Sequence, residues 1–317
     1  MQITSNIQNT AEGIAPTFSQ GDKPRGFTLI ELLVVIGILA FLAAMPLPAL
    51  TRVMSKDKQV QCMNNCKQMA SAWHQYATDY GWYPPNPDDP GNSIKYYHWC
   101  PNAEGASTPD VFNPDLYYDP SYCLVDLYIA NNIKLFHCPA DLRTGLYSGT
   151  QQPSLKGQTI SAVRTISASG AVGSTDDTFW SSGGGHGGLI RHAVNGPWLD
   201  GLHDALNGRG AYATFGKPSA FSVIAPSMVF MIGDENPQSI NDGALSTVAA
   251  LNTLEFIDWP ASLHAGGGTF SFCDGHAEMH KWGGKILQGP FTATVHATIP
   301  ADRADFIWLA QHSSTHK

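Results

Sequence analysis

Hydrophobic and polar positions divide the chain into an apolar run, an amphipathic stretch and a turn-rich remainder. The run from Phe27 to Leu50 is long enough to cross a bilayer, for which ~20 apolar residues suffice. It contains one carboxylate, Glu31, which needs a partner in an apolar environment. Pro46 and Pro48 each remove a backbone donor, so we expect a helix over residues 27–50 that kinks or melts near them.

Residues 51–81 continue with the spacing of an amphipathic helix. Apolar residues recur mostly at intervals of three and four, at Val53, Val60, Met63, Cys66, Ala70, Trp73, Ala77 and Tyr80. Gly81, followed by Pro84 and Pro85, ends the helix. The apolar side is expected to pack against a globular domain.

That domain, residues 82–317, is called the head and consists of short segments separated by Gly and Pro. Residues 227–236 have the continuous apolar core of a buried strand. Residues 262–282 alternate around Asp274 and Gly275, which predicts a hairpin with a two-residue type I′ turn. Asp302 is a candidate N-cap of a C-terminal packing helix. The fold class predicted is α+β, a long N-terminal helix packed on a head with an antiparallel sheet.

The net charge limits the molecules that the chain is expected to bind, and the cysteine content limits the disulfides that it is expected to form. The net charge of −8 and the lack of a basic run with interleaved aromatic residues exclude a nucleic-acid surface. Six cysteines contain no CxxC pair, and one to three disulfides are expected if the head lies outside the cytoplasm. Cys62 and Cys66, four apart on a helix, are poorly placed to bridge each other.

The segment before the apolar run reads Lys-Pro-Arg-Gly and is followed by Phe-Thr-Leu-Ile-Glu. It resembles the prepilin leader of type IV pilins and type II secretion pseudopilins. The resemblance implies that residues 1–26 are a leader, that a peptidase cuts between Gly26 and Phe27, and that Phe27 is N-methylated. It further implies a single transmembrane helix over 27–50 in the cytoplasmic membrane, with the head outside the cytoplasm.

The same resemblance gives Glu31 a partner. Cleavage leaves an α-amino group on Phe27 with an ordinary pKa of ~7.7 to 8.0, so it is cationic at neutral pH. In the family, Glu31 of one subunit would pair with this amine of the next and set the subunit stagger. The alternative is that Glu31 reaches the membrane interface alone.

A second resemblance lies near the C-terminal end. His264, nine intervening residues, then Asp274 and Gly275 are similar to the H-x9-DG element of a large bacterial family with prepilin-type N-termini. The segment containing Cys138 and Asp141 resembles a CPxD turn of large pseudopilin-like proteins. The H-x9-DG element, residues 264–275, belongs to the head.

The function expected is therefore structural and not enzymatic: a subunit of a type IV pilus or a type II secretion-like pseudopilus. Its partners would be prepilin peptidase, other subunits through their N-terminal helices, the assembly platform and membrane lipid. One alternative is a membrane-tethered enzyme or metal-dependent ligand-binding protein that uses the same export signal. Another is a minor pilin whose large head binds a ligand at a filament tip.

Metal binding stays open at this level. Side chains near the hairpin offer ligand atoms for Zn²⁺, at His264, His276, His280 and Asp274. Carboxylates offer the oxygens that Ca²⁺ prefers, at Asp234, Glu235 and Asp274. A structural Ca²⁺ is favoured over a catalytic Zn²⁺, because major pseudopilins carry such a site. No HExxH, GxSxG or P-loop motif occurs, and the expectation is no cofactor and no catalytic residue.

Overall fold

The computed structural model describes residues 26–44, 47–87, 95–101, 108–176, 191–202 and 210–317. Two compact units divide the chain, residues 1–50 and 51–317. Of the leader expected over residues 1–26, only Gly26 lies within the described residues.

The helices are α1 (Leu29–Ala44), α2 (Leu47–Tyr80) and α3 (Pro300–Gln311). The strands are β1 (Thr144–Leu146), β2 (Thr159–Ser161), β3 (Ile166–Ser169), β4 (Ser174–Asp176), β5 (Arg191–Ala193), β6 (Phe230–Asp234), β7 (Ala244–Leu245), β8 (Glu255–Phe256), β9 (Gly267–Phe272), β10 (Ala277–Lys281) and β11 (Val295–His296). Short 3₁₀ helices occupy Pro109–Phe112, Pro114–Tyr118, Asp126–Ile129, Ile133–Phe136, Pro153–Leu155, Pro218–Ala220 and Pro226–Met228.

The apolar run forms α1 and the start of α2. The interruption expected at Pro46 and Pro48 falls at residues 45 and 46, which lie outside the described residues, and the chain is helical on both sides of them. Among the described residues, no helix combines the length and apolarity that a membrane crossing requires.

The amphipathic prediction for α2 is confirmed from Cys62 onward. The residues of its inner face are buried: Cys62, Cys66, Met69, Ala70, Trp73 and Ala77. The helix ends at Tyr80, and Gly81 follows with φ +73°, a conformation that glycine adopts readily. The sequence located this end correctly.

A five-stranded sheet forms the centre of the head, in the order β10-β9-β6-β3-β7. Its neighbours are antiparallel except for β3 and β7, which run parallel, and β3, β6 and β9 are buried along their whole length. The strand expected within residues 227–236 is β6. Three two-stranded ribbons, β1-β2, β4-β5 and β8-β11, complete the described strands. The α+β class and the antiparallel sheet are thus confirmed.

The two faces of β9 pack toward different helices, because successive side chains of a strand point to opposite sides. Phe270 and Phe272 belong to a hydrophobic cluster that includes Phe306 and Leu309 of α3. On the other face, Thr269 contacts Cys62 of α2 through its hydroxyl group. Helix α2 and helix α3 therefore lie on opposite sides of the sheet.

The hairpin expected at Asp274 and Gly275 is confirmed, but the two-residue type I′ turn is wrong. Phe272 donates its N–H to His276 O at 2.9 Å, which leaves a three-residue loop, and in that loop only Gly275 has a positive φ, +89°. The extra loop residue is Cys273, whose side chain is buried and whose N–H donates to Val229 O at 2.9 Å. This contact draws residue 273 out of the ladder.

Two further expectations need correction. Ile299, not Asp302, occupies the N-cap position of α3, with Pro300 in the first turn. Asp302 instead accepts N–H bonds from Lys285 and Ile286, at 2.6 and 3.0 Å. All six cysteines are free and buried, so the expected one to three disulfides do not form in this structure.

Candidate functional site

Four side chains with metal-binding atoms converge inside the head. They are Cys62, Cys138, Asp234 and His264, and their ligand atoms all lie within 4.8 Å of one another. Each residue is at most 1% exposed. Within the described part of the chain, this is the group of three or more His, Cys, Asp or Glu residues placed closely enough to hold an ion.

Each member comes from a different element. Cys62 lies on the inner face of α2, and Asp234 is the last residue of β6. His264 lies in the loop that leads into β9. Cys138 opens the turn predicted from CPxD, which is closed by the bond from Asp141 N to Cys138 O at 2.9 Å. The central sheet and α2 thus bring together parts of the chain that are far apart in sequence.

The contacts within the group are close. Cys138 Sγ is 3.2 Å from His264 Nε2, and His264 Nε2 is 3.3 Å from Asp234 Oδ2. The Cys62 thiol donates to Asp234 Oδ2 over 3.6 Å. His264 therefore directs Nε2 into the group, while its buried Nδ1 has no hydrogen-bond partner in the described structure.

Neighbouring groups orient three of the four side chains. Thr269 N–H donates to Asp234 Oδ1 at 2.5 Å, and its hydroxyl group lies 3.0 Å from Cys62 Sγ. Ala140 N–H donates to Cys138 Sγ at 3.4 Å. Such outer partners fix the direction of a ligand atom and are typical of metal sites.

Burial and mutual contact shift the titration of the group. The hydrogen bond with Cys138 lowers the pKa of Cys62, but the one with Cys66, burial and the charge of Asp234 raise it well above the usual thiol value. The hydrogen bond with Cys62 and burial raise the pKa of Cys138 as well. Burial lowers the pKa of His264, yet Asp234 and Cys138 outweigh burial and raise it to about 9. The protein alone therefore holds two thiols beside an imidazolium.

The residues suggested by the sequence are only partly brought together. His264 and Asp234 meet in the group, whereas Asp274 and His276 pair with each other at the exposed hairpin loop, 2.6 Å apart. His280 stacks on Trp308 with ring centroids 3.9 Å apart.

Glu235 belongs to a different environment from its neighbour Asp234. It is buried and accepts a hydrogen bond from Ser167 Oγ at 2.5 Å. Burial raises its pKa to about 8, against the opposing effects of Ser167 and Arg164. The three carboxylates considered for Ca²⁺ thus have separate partners, and the Ca²⁺ site stays an expectation from the sequence.

Two members of the group, Cys62 and Cys138, were not identified as ligands from the sequence. A signal for Cys138 and His264 was present, since each belongs to a recognised short element, CPxD and H-x9-DG. Neither element indicates that the two residues meet. Only the fold of the sheet between them supplies that contact.

Thr28 and Glu31 form reciprocal hydrogen bonds at the start of α1. Thr28 precedes α1, and its N–H and hydroxyl group both donate to Glu31 Oε2, at 2.9 and 2.7 Å. Glu31 N–H in turn donates to Thr28 Oγ1 at 3.3 Å. This reciprocal pair is a capping box, which satisfies donors at the helix start. Gly26 and Phe27 lie directly before it.

Comparisons with known proteins agree with this organisation. A family model described as "Prokaryotic N-terminal methylation motif" matches residues 22–45, and one described as "Protein of unknown function (DUF1559)" matches residues 58–214. The chain is 60% identical to "Prepilin peptidase-dependent protein D" of Escherichia coli (strain K12) over 35 residues, which is 11% of this chain and 24% of the relative. The match thus spans about a quarter of the relative's length. No solved structure matches the chain significantly.

The resemblance inferred from Gly26, Phe27 and Glu31 is confirmed by these comparisons. The methylation motif covers Gly26, Phe27 and the whole of α1, and the second family model covers the part of the head that contains Cys138. The chain thus carries a prepilin-type N-terminal motif and, in that segment, is similar to a prepilin peptidase-dependent protein.

Proposed function

We propose that the protein is a structural subunit of a type IV pilus or a type II secretion-like pseudopilus. In this proposal prepilin peptidase cuts between Gly26 and Phe27 and Phe27 becomes N-methylated. Residues 27–50 anchor the chain in the cytoplasmic membrane, with the head outside. The observation that carries the proposal is the match of residues 22–45 to the N-terminal methylation motif.

The surface of α1 supports an assembly role. Its large apolar side chains and that of the preceding Phe27 are exposed: Phe27, Leu29, Ile30, Leu32, Leu33, Val34, Val35, Ile36, Ile38, Leu39 and Phe41. An exposed apolar surface of this extent marks a site of contact with lipid or with other chains. Lipid would cover it before assembly, and helices of neighbouring copies would cover it in a filament.

Glu31 is the charged residue of this surface, and two roles for it can be separated. It completes the capping box with Thr28 inside one chain. After cleavage its carboxylate can also pair with the new α-amino group on Phe27 of a neighbouring copy. A paired charge in an apolar environment specifies register, because displaced arrangements leave it alone.

Two substitutions distinguish these roles. Glu31→Gln keeps the capping box, in which glutamine is an accepted partner, but removes the charge. Thr28→Ala removes the hydroxyl cap and keeps the charge. We expect Glu31→Gln to abolish filaments and Thr28→Ala to leave them, as measured by the amount of subunit in sheared filament fractions and by the intact mass of the mature N-terminus.

The outcomes are decisive in both directions. Filaments at wild-type yield from Glu31→Gln would refute the pairing between copies. Loss of filaments from Thr28→Ala, with Glu31→Gln unaffected, would assign Glu31 to helix capping alone. A mature chain without N-methyl-Phe27 at its start would refute the processing part of the proposal.

A further inference from the structure

We propose that Cys62, Cys138, Asp234 and His264 bind a structural Zn²⁺ ion that fastens α2 to the head. The donor set has two sulfurs, one nitrogen and one oxygen. Thiolate and imidazole ligands in a four-coordinate arrangement are typical of Zn²⁺. Ca²⁺ prefers six to eight oxygens, and this group offers a single carboxylate.

The spacing of the ligand atoms fits a tetrahedron. With bonds of about 2.0 to 2.3 Å to the metal, ligand atoms of a tetrahedral site lie about 3.3 to 3.8 Å apart. The contacts of His264 Nε2 with Cys138 Sγ and Asp234 Oδ2 are 3.2 and 3.3 Å, and Cys62 Sγ is 3.6 Å from Asp234 Oδ2. All remaining pairs lie within 4.8 Å, so adjustments of about 1 Å complete the geometry.

The site is closed, which makes it structural. Four protein ligands fill a tetrahedral shell, whereas a catalytic Zn²⁺ keeps one position for water or substrate. None of the four residues is more than 1% exposed. The ion would therefore enter as the head folds, and its binding would displace the two thiol protons and the Nε2 proton of His264.

The ligands also explain why α2 carries polar contacts on its inner face. Cys62 is the one ligand contributed by the helix, while the other three belong to the head. Thr269 contacts both Cys62 and Asp234, which holds the helix ligand and a head ligand in one network. A bound ion would thus join the helix to the central sheet at this point.

The chain offers a matched control on the same helix. Cys66 lies one turn after Cys62, is equally buried, and its thiol also contacts Thr269 Oγ1, at 3.7 Å. It is not part of the converging group. Cys62→Ala and Cys66→Ala therefore remove the same atom from the same face, and only the first removes a ligand.

The experiment uses the full chain, purified in detergent without chelators. Zinc is measured by elemental analysis, and the reduced protein, refolded with Co²⁺, is examined for a thiolate-to-cobalt charge-transfer band. We expect one Zn²⁺ per chain in the wild type and in Cys66→Ala. In Cys62→Ala and His264→Ala the affinity should fall by more than the roughly 10- to 100-fold that outer-shell substitutions cause. Excess Ca²⁺ should not displace the ion.

Specific results would overturn this assignment. One is a wild-type protein that binds neither Zn²⁺ nor Co²⁺ when reduced and folded, as judged by circular dichroism. Another is metal binding that is lost in Cys66→Ala and retained in Cys62→Ala. A third is an intact mass and peptide map showing a Cys62–Cys138 disulfide in protein isolated from the cell envelope. None of these readouts requires a filament, so a failure of the zinc assignment can be distinguished from a failure of the assembly proposal.

Discussion

The ionisable side chains of the N-terminal helix and those of the buried group in the head have opposite environments. Glu31 lies on a helix with exposed apolar side chains, and within the described residues its carboxylate accepts hydrogen bonds from Thr28 alone. Asp234 and His264 are enclosed and find their partners inside the same head. The first arrangement leaves the carboxylate available to another chain, whereas in the second the carboxylate and the imidazole pair with each other. Assembly and stability should therefore respond to substitutions in different regions.

The largest effect is expected at the proposed cleavage position. Gly26→Leu places a bulky side chain where the prepilin signal has none, so the chain should retain residues 1–26 and form no filaments. A Cβ at Gly26 would meet no atom within 4 Å, so the described fold should not change. Intact mass of the membrane-associated chain measures the result.

Gly37→Leu is the control for that substitution. Gly37 lies on α1, and its added Cβ would also meet nothing within 4 Å. We expect normal removal of the leader. Complete processing of Gly26→Leu, or failure of both variants, would contradict the assignment of the cleavage site.

The next effect separates the stability of the two regions. Trp73 is fully buried and lies against Trp99, with ring centroids 5.5 Å apart, so Trp73→Ala should lower the free energy of unfolding of the head by about 3–5 kcal/mol. Leu33→Ala on the exposed α1 should change it by less than about 0.5 kcal/mol. Denaturant unfolding followed by circular dichroism gives both values. Equal losses from the two variants would show that α1 is part of the head's cooperative unit.

The smallest effect concerns the hairpin loop. Gly275 has φ +89° and open space around its Cβ position, so Gly275→Ala should cost about 1–2 kcal/mol from backbone strain alone. Gly210→Ala, also in open space but without a positive φ, should be nearly neutral. The same unfolding measurement applies. A neutral Gly275→Ala would contradict the three-residue loop.

The sequence was most informative where a signal is local. The N-terminal motif at residues 22–45, the end of α2 at Tyr80 and strand β6 follow from local spacing and from individual residues. The position of the hairpin was also predictable. Its loop length was not, because it depends on the bond between Cys273 N and Val229 O across the sheet. Asp302 was misassigned for a similar reason, since it caps another segment of backbone.

The buried group shows more clearly what could not be predicted from the sequence. Asp234 and His264 could be proposed as ligands from the sequence, though not of one site, and Cys62 and Cys138 could not. Their proximity results from the pairing of β6 with β9 and from the packing of α2 on that sheet. No periodicity within one segment carries that information. A linear motif can reveal a processing site, but a centre assembled from four segments requires the fold.

The separation in sequence between the segments that contribute the buried group has a consequence for the order of folding. Cys62 and His264 are 202 positions apart (264 − 62), and joining ends so distant costs about 4.7 kcal/mol of loop-closure entropy by the (3/2)RT ln n relation. In the export route proposed above, the N-terminal part crosses first and residue 264 emerges after most of the head. Docking of the helix would then be a late step in folding, and until it occurs a chain exported in this way would display the inner face of its helix to chaperones and proteases.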